Sequence, residues 1–267
     1  MHLRLYLTAR HLQQFTQLLA LLSDTAVFIF RPTSATVQVF DPQAGGVYSL
    51  ASSFLFSALD LAGSHPVGVR FSRIFQLENL QDFDASFVLT QEAGDKPFLD
   101  ARFFQEGSDF AEHAIEAKLQ VPIGFLRNQS LNAVVQELQM VEDGLGDGAP
   151  SQEFQLFARA PQLFGLLVEG DETVEVAVLH AEGVKTLQLG TQMSQVSASY
   201  AQAGEGAGVA GHFGFRAVQE ALRQHGQLGA LLGVGWNPSV FVGERRLVLV
   251  LKREAGAMWV KRVVMGM

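Results

Sequence analysis

The residue pattern with the most explicit chemical meaning is Gly206-Ala207-Gly208-Val209-Ala210-Gly211, a G-x-G-x-x-G run. Glycines at that spacing let a backbone approach a pyrophosphate at a helix start. They must follow a buried strand directly and be followed by an acid about 20 positions onward. Here the preceding Tyr200-Ala201-Gln202-Ala203-Gly204-Glu205 is polar and loop-like, and the stretch Gln227–Val242 holds no acidic residue. The run reads as a glycine-rich loop. An NAD(P)-dependent oxidoreductase built on Gly206–Gly211 is the alternative of another class.

Other chemistry finds little support in the residues. His2, His11, His65, His113, His180, His212 and His225 never recur at i, i+4, the one-face helical spacing of a zinc site, and His113 and His180 read as structural. The carboxylates are scattered without an evident pair for general acid–base work. No G-x-S-x-G, G-x-x-x-x-G-K-[ST] or H-E-x-x-H occurs. Cysteine is absent, which removes disulfides, thiolate zinc sites, iron–sulfur clusters and a cysteine nucleophile together. The reading is therefore a non-enzyme with no catalytic residue, no metal and no cofactor.

Arginines carry a different signal. Each of four candidate helices has one in or just before its first turn: Arg10, Arg73, Arg159 and Arg216. A cation there is unfavourable by about 0.3–1 kcal/mol, because the helix dipole is positive at that end. Helix stability does not explain the placement. A phosphate backbone facing the four helices would, since helix amides and guanidinium attract the same anion. The plainer reading is that arginine is a common surface residue and the four positions coincide. Arg223, with Gln219 and Gln224, extends the polar face of the fourth helix.

These helices must be positioned by the rest of the chain. Its 267 residues, 48% hydrophobic and 17% charged, are enough for two packed domains and exclude a disordered acidic tail protein. No apolar run approaches the roughly 20 residues of a bilayer span, and Met1-His2-Leu3-Arg4 lacks a signal-peptide core, so a soluble intracellular protein is expected. The formal charge of −8 argues against coating nucleic acid through overall positive charge. Residues 1–121 hold 8 Lys+Arg against 13 Asp+Glu, residues 122–152 hold 1 against 4, and residues 153–267 hold 10 against 10, giving −5, −3 and 0.

Periodicity gives the order of elements. Leu3, Leu5 and Leu7 alternate as in a strand; from Thr8 the spacing becomes helical through Leu12, Phe15, Leu18, Leu19 and Leu22. Strands follow at Thr25–Phe30, Thr36–Phe40 and Val47–Leu50, divided by Pro- and Gly-bearing turns. The order returns with a strand at Val67–Phe71, a helix at Ser72–Asp82, and strands at Phe87–Thr90, Phe98–Phe104 and Ala114–Val121. Residues 122–152 read as an interdomain connector with one helical stretch at Ser130–Met140. A third copy follows: a strand at Phe154–Ala158, a helix at Pro161–Val168, and strands at Thr173–Leu179, Val184–Leu189 and Met193–Tyr200. In the fourth, Phe213–Phe215 enters a helix closed by His225-Gly226, before strands at Leu228–Trp236, Leu247–Leu251 and Trp259–Val264. Four copies of one strand–helix–three-strand unit predict an α+β chain of two similar domains, 1–121 and 153–267. Each carries two helices on one face of antiparallel sheets.

That repeat resembles the DNA sliding-clamp family, of which proliferating-cell nuclear antigen is the homotrimeric member. Three segments are similar to the Hus-type subunit of the heterotrimeric DNA-damage checkpoint clamp, the nine-one-one ring: His11-Leu12-Gln13-Gln14-Phe15-Thr16; Gly45-Gly46-Val47 with the later Phe54-Leu55-Phe56; and His113–Pro122 before the connector. The chain departs from the pattern in its longer connector and its short second and third helices. The resemblance implies a processivity fold whose helices line a hole around double-stranded DNA without sequence preference. It implies two paralogous subunits joined by strand edges, an ATP-driven clamp loader, and repair and checkpoint proteins as partners. It also implies a nuclear location. Partners would dock near the connector, where Phe125 and Leu126 are candidate apolar anchors; the alternative for that pair is packing on the sheet. A self-trimerising replication clamp is the runner-up. The basic pairs Arg245-Arg246, Lys252-Arg253 and Lys261-Arg262 are read as charges protecting a solvated hairpin, with a second anion patch as the alternative.

Overall fold

The computed structural model describes residues 2–32, 34–71, 83–90, 98–104, 116–122, 124–126, 128–144, 152–156, 166–167, 172–202, 208–233, 236–253 and 259–267. The chain divides into two compact units, Met1–Gln43 with Val47–Met140, and Ala44–Gly46 with Val141–Met267.

In the first unit, β1 (His2–Leu7) buries its alternate leucines and leads into α1 (Ala9–Leu21). Then come β2 (Val27–Phe30), β3 (Thr36–Asp41) and β4 (Gly46–Ala51), the single-turn α2 (Ser52–Leu55), β5 (Ala58–Ala62) and β6 (Val67–Arg70). β7 (Asp84–Thr90), β8 (Phe98–Phe104), β9 (Glu116–Pro122) and β10 (Gly124–Leu126) precede α3 (Asn128–Gly144). One sheet runs β5-β1-β7-β8-β9; a second layer of strands runs β10-β6-β2-β3-β4. Phe15 of α1 joins the two layers. Its ring centroid lies 5.7 Å from Phe28, 5.6 Å from Phe56, 5.1 Å from Phe71 and 6.2 Å from Phe87.

Both ends of α1 are held by distant acids. The Ala9 amide donates to Asp84 Oδ1 at 2.7 Å, so a β7 carboxylate takes up a helix-start amide that the Thr8 side chain does not cap. After the helix, the fully buried Asp41 accepts from the Ser23 amide at 2.8 Å and from the Ser23 hydroxyl. A buried carboxylate is tolerated here because donors surround it.

In the second unit, β11 (Gln152–Gln155), β12 (Thr173–Ala181), β13 (Val184–Gly190), β14 (Gln195–Ala201) and β15 (Val209–Gly214) come before α4 (Phe215–Leu232). β16 (Trp236–Val242), β17 (Arg246–Arg253) and β18 (Trp259–Met265) end the chain. The strands run β14-β13-β12-β15 in one sheet and β18-β17-β16-β11 in a second layer. α4 buries Val218, Ala221 and Leu222 in the core of this unit, and Leu228 and Leu232 are buried further along it. β14 stands at the end of its sheet, and Gln195-Val196-Ser197-Ala198-Ser199-Tyr200-Ala201 contains neither a charge nor a proline.

The antiparallel α+β architecture is as the periodicity predicts, and most strands lie where they are expected. Three differences have physical causes. The fourth helix continues past His225-Gly226 to Leu232, because Leu228 and Leu232 prolong the buried stripe of Leu222 and His225. Gly233, at φ 83°, is the glycine that ends it, and the strand expected at Leu228–Trp236 begins only at Trp236. Within the stretch read as connector, β10 pairs with β6, and α3 is longer than Ser130–Met140, burying only Leu131 and Leu138 among its described side chains. α2 and β5 were not expected. The helices expected at Ser72–Asp82 and over most of Pro161–Val168 lie outside the described residues.

The glycine run, read as a loop, also differs: from Val209 it is strand, and it is no cofactor loop. Gly211 pairs with Val176 inside β15, so the described part of the run leads into a strand rather than a helix. A Cβ there would lie 2.6 Å from the Gly243 carbonyl oxygen and 2.8 Å from that of Glu244. The glycine admits the β16–β17 turn against β15. It meets backbone, not pyrophosphate. This arrangement removes the strand–glycine–helix geometry on which the oxidoreductase alternative depends.

Beneath α4, His225 is 2% exposed, and burial, with the Arg262 charge second, pushes its pKa down to about 4. Only the Val250 backbone works the other way. The unfolded chain takes up this proton near pH 6.5, whereas the folded chain resists until about pH 4. Stability is therefore lost as pH falls through that window, by up to about 3 kcal/mol at about 1.36 kcal/mol per unit. His225→Leu is expected to lose that much less stability than wild type between pH 7 and pH 4 in urea unfolding; equal losses would refute the assignment. Gly211→Ala is expected to cost about 1–3 kcal/mol, because backbone atoms cannot swing aside. An unchanged melting temperature would count against the close approach.

Candidate nucleic-acid interface

Helix α1 turns Leu12, Phe15, Leu18 and Leu19 inward, which leaves Arg10, Gln13 and Gln17 exposed at i, i+3, i+7. Arg10 stands one residue from the amide that Asp84 accepts. That carboxylate offsets the helix dipole locally, so a phosphate is not required to balance this helix start. Arg10 would meet an anion with its own side chain. The Thr8 hydroxyl and His11 Nδ1 lie 2.6 Å apart, and His11 Nε2 is 3.3 Å from the Ser53 carbonyl oxygen.

On α4 the exposed residues are Arg216, Ala217, Gln219, Glu220, Arg223, Gln227 and Ala230. The Phe215 amide at its start donates to the Glu172 carbonyl at 2.8 Å. Arg223 is committed locally: Nε donates to Glu220 Oε2 at 2.8 Å, Nη2 to Glu220 Oε1 at 2.6 Å, and Nη1 to Gln227 Oε1 at 2.9 Å. The Arg223 hydrogen bond holds the Glu220 carboxyl below the usual carboxylate range. Both side chains are about half exposed, at 53% and 49%, so the pair adds little to folding, typically about 0.3–0.5 kcal/mol. Its consequence is electrostatic. The α4 face presents two arginines and one glutamate, and α1 presents one arginine among glutamines.

Glu220 and Asp84 are the residues that reasoning from the arginines missed. The i, i+3 spacing of Glu220 and Arg223 was readable; the link from Asp84 to Ala9, 75 positions apart, had no local signal. Arg73 and Arg159 lie outside the described residues.

Leu126 and Phe125 sit in β10, opposite Gly68 and Val69 of β6. Leu126 is half-buried, and its Cβ is 3.2 Å from the place a Cβ on Gly68 would occupy. The Phe125 side chain lies outside the described residues. Of the C-terminal cations, Arg246, Lys252 and Lys261 lie on one face of the β17–β18 pair by their register, and Arg262 on the other. Lys261 lies 4.7 Å over the Trp259 ring, Arg245 and Lys252 are exposed, and Arg262 is buried at 3%. Among the described residues no group of three or more His, Asp or Glu side chains could hold a metal ion, and no helix is long and apolar enough to cross a membrane.

The sequence matches no protein-family model and no curated protein. Its structure is similar to PCNA from Thermococcus kodakaraensis over 99% of this chain and 100% of that one, with a TM-score of 0.57 at 14% identity. A. fulgidus PCNA bound to the C-terminal region of FEN-1 gives a TM-score of 0.58 at 13% identity, covering 99% of this chain and 98% of that one. PCNA from Entamoeba histolytica gives 0.57 at 13% identity with the same coverage. Near end-to-end similarity at this identity is a likeness of fold: the chain has the fold of the PCNA sliding clamps.

Proposed function

We propose that the chain is a non-catalytic subunit of a ring-shaped clamp that encircles duplex DNA and carries repair and checkpoint proteins. The observation that carries this reading is the clamp fold spanning 99% of the chain. Weakly cationic, glutamine-rich helix faces support it. Each neutralised phosphate adds salt-dependent affinity, and a ring that slides needs few such contacts, because topology retains it. Arg10, Arg216 and Arg223 are the described members of the lining; Arg73 and Arg159 complete it in the proposal.

Ring closure uses strand edges. β14 offers seven residues of edge backbone without the charges or prolines that protect a solvent-facing edge, and β9 stands at the end of its own sheet. The finer assignment, to the Hus-type subunit of the heterotrimeric checkpoint clamp in the nucleus, follows the resemblance of His11–Thr16, Gly45–Val47 with Phe54–Phe56, and His113–Pro122. Two paralogous subunits and an ATP-driven loader come with it. A self-trimerising replication clamp is the second reading, favoured by PCNAs as the similar solved structures. The A. fulgidus structure holds the C-terminal region of FEN-1, and a peptide-docking surface near β10, at Phe125 and Leu126, is the corresponding proposal here.

Replacing Arg10 and Arg216 together with alanine is expected to flatten the salt dependence of duplex binding by up to about two log–log units, without lowering stability. An unchanged slope would remove these arginines from the lining. Sizing separates the two clamp readings. The 29.1 kDa chain alone should elute as a monomer and enter a ring only with two different partners. Elution at three times that mass would favour the self-trimer.

A further inference from the structure

Three side chains join Glu220 in a chain of hydrogen bonds whose direction is fixed from below. Arg262, 3% exposed on β18, donates through Nη1 to Gln224 Oε1. An amide that accepts on its oxygen turns its NH2 the other way, and Gln224 Nε2 donates to Glu220 Oε1. Arg223 then supplies two further donors to the same carboxylate, at 2.8 Å and 2.6 Å. Glu220 is thus held by α4 on one side and, through Gln224, by the buried arginine on the other. A carboxylate accepts only, and all these donors favour its ionised form.

We propose that Glu220 is a charge brake on the α4 face, which holds Arg223 back from duplex phosphates and sets the chain's DNA affinity below what its arginines would otherwise give. The proposal rests on the reading that α4 faces DNA. Of the Arg223 donors, Nε and Nη2 point to Glu220 and Nη1 to Gln227, so its fork is turned along the helix. A phosphate approaching that fork meets an anion within hydrogen-bond reach of the same guanidinium. Charge pairing of this kind lowers the count of neutralised phosphates without removing an arginine from the surface. Exposed i, i+3 pairs add little to folding, so the pair can be altered with the fold intact.

The test is duplex binding by fluorescence anisotropy across a salt series, with the full chain in the oligomeric state that sizing establishes. Glu220→Gln is expected to tighten binding about 5–10-fold at 0.1 M salt and to steepen the log–log slope by about 0.9, one phosphate contact. Glu220→Ala should do the same. Glu220→Gln with Arg223→Ala should bind with the slope of Arg223→Ala alone, because the brake acts through that arginine. If both Glu220 variants fold with the wild-type melting temperature and bind with the wild-type slope, while Arg10→Ala with Arg216→Ala still flattens it, the brake is wrong and the DNA-facing reading stands. If wild type and every variant lack salt-dependent duplex binding, that reading fails and the brake with it.

Discussion

The first unit is organised around one side chain. Phe15 projects from α1 into a cluster of phenylalanines delivered by four separate segments: Phe28 from β2, Phe56 after α2, Phe71 after β6 and Phe87 from β7. Rings at such spacings and tilts attract edge to face, by about 0.5–1.5 kcal/mol per pair beyond the area they bury. The geometry matters more than the sum. A helix anchored by an aromatic residue touching both strand layers cannot roll without breaking several contacts. The face opposite, with Arg10, Gln13 and Gln17, is therefore fixed in direction by the core.

The second unit reaches a similar result with different material. Under α4 the stripe of Val218, Ala221, Leu222, Leu228 and Leu232 is aliphatic, and polarity enters through His225 and Arg262. Arg262 does not serve as a surface cation; it reaches Gln224 and through it the exposed face. Core and surface electrostatics are thus connected in this unit, whereas in the first the nearest comparable link is the cap that Asp84 gives α1.

Much of the fold was legible because its periodicities are clean. The alternation of Leu3, Leu5 and Leu7 and the three-to-four spacing from Leu12 to Leu22 determine β1 and α1 almost unaided. The end of α4 was not legible, since Leu228 to Trp236 is apolar enough for either element. Only the continued burial of Leu228 and Leu232 and the positive φ of Gly233 decide it. α2 and β5 carry too few buried residues to be heard above the turns around them. At the candidate interface, the exposed arginines of α1 and α4 could be picked from spacing. What modifies them could not: Asp84 arrives from another strand, and Glu220 gains its meaning from Gln224 and Arg262 behind it. The glycine run, read as a loop, enters β15 at Val209, and its purpose was hidden for a related reason: a residue without a side chain signals closeness and does not say to what. At Gly211 the close neighbour is the turn at Gly243 and Glu244.

The position of β14 at the end of its sheet has a consequence for how much of this protein a cell can hold alone. A seven-residue edge strand whose alternate amides and carbonyls point away from β13, and which holds no charge to repel a like strand, makes self-association a second-order process that accelerates with copy number. In a ring of the proposed kind, the safe level of the orphan polypeptide would be set by the supply of the subunit that caps that edge. Synthesis in excess of it would feed precipitation or proteolysis rather than function.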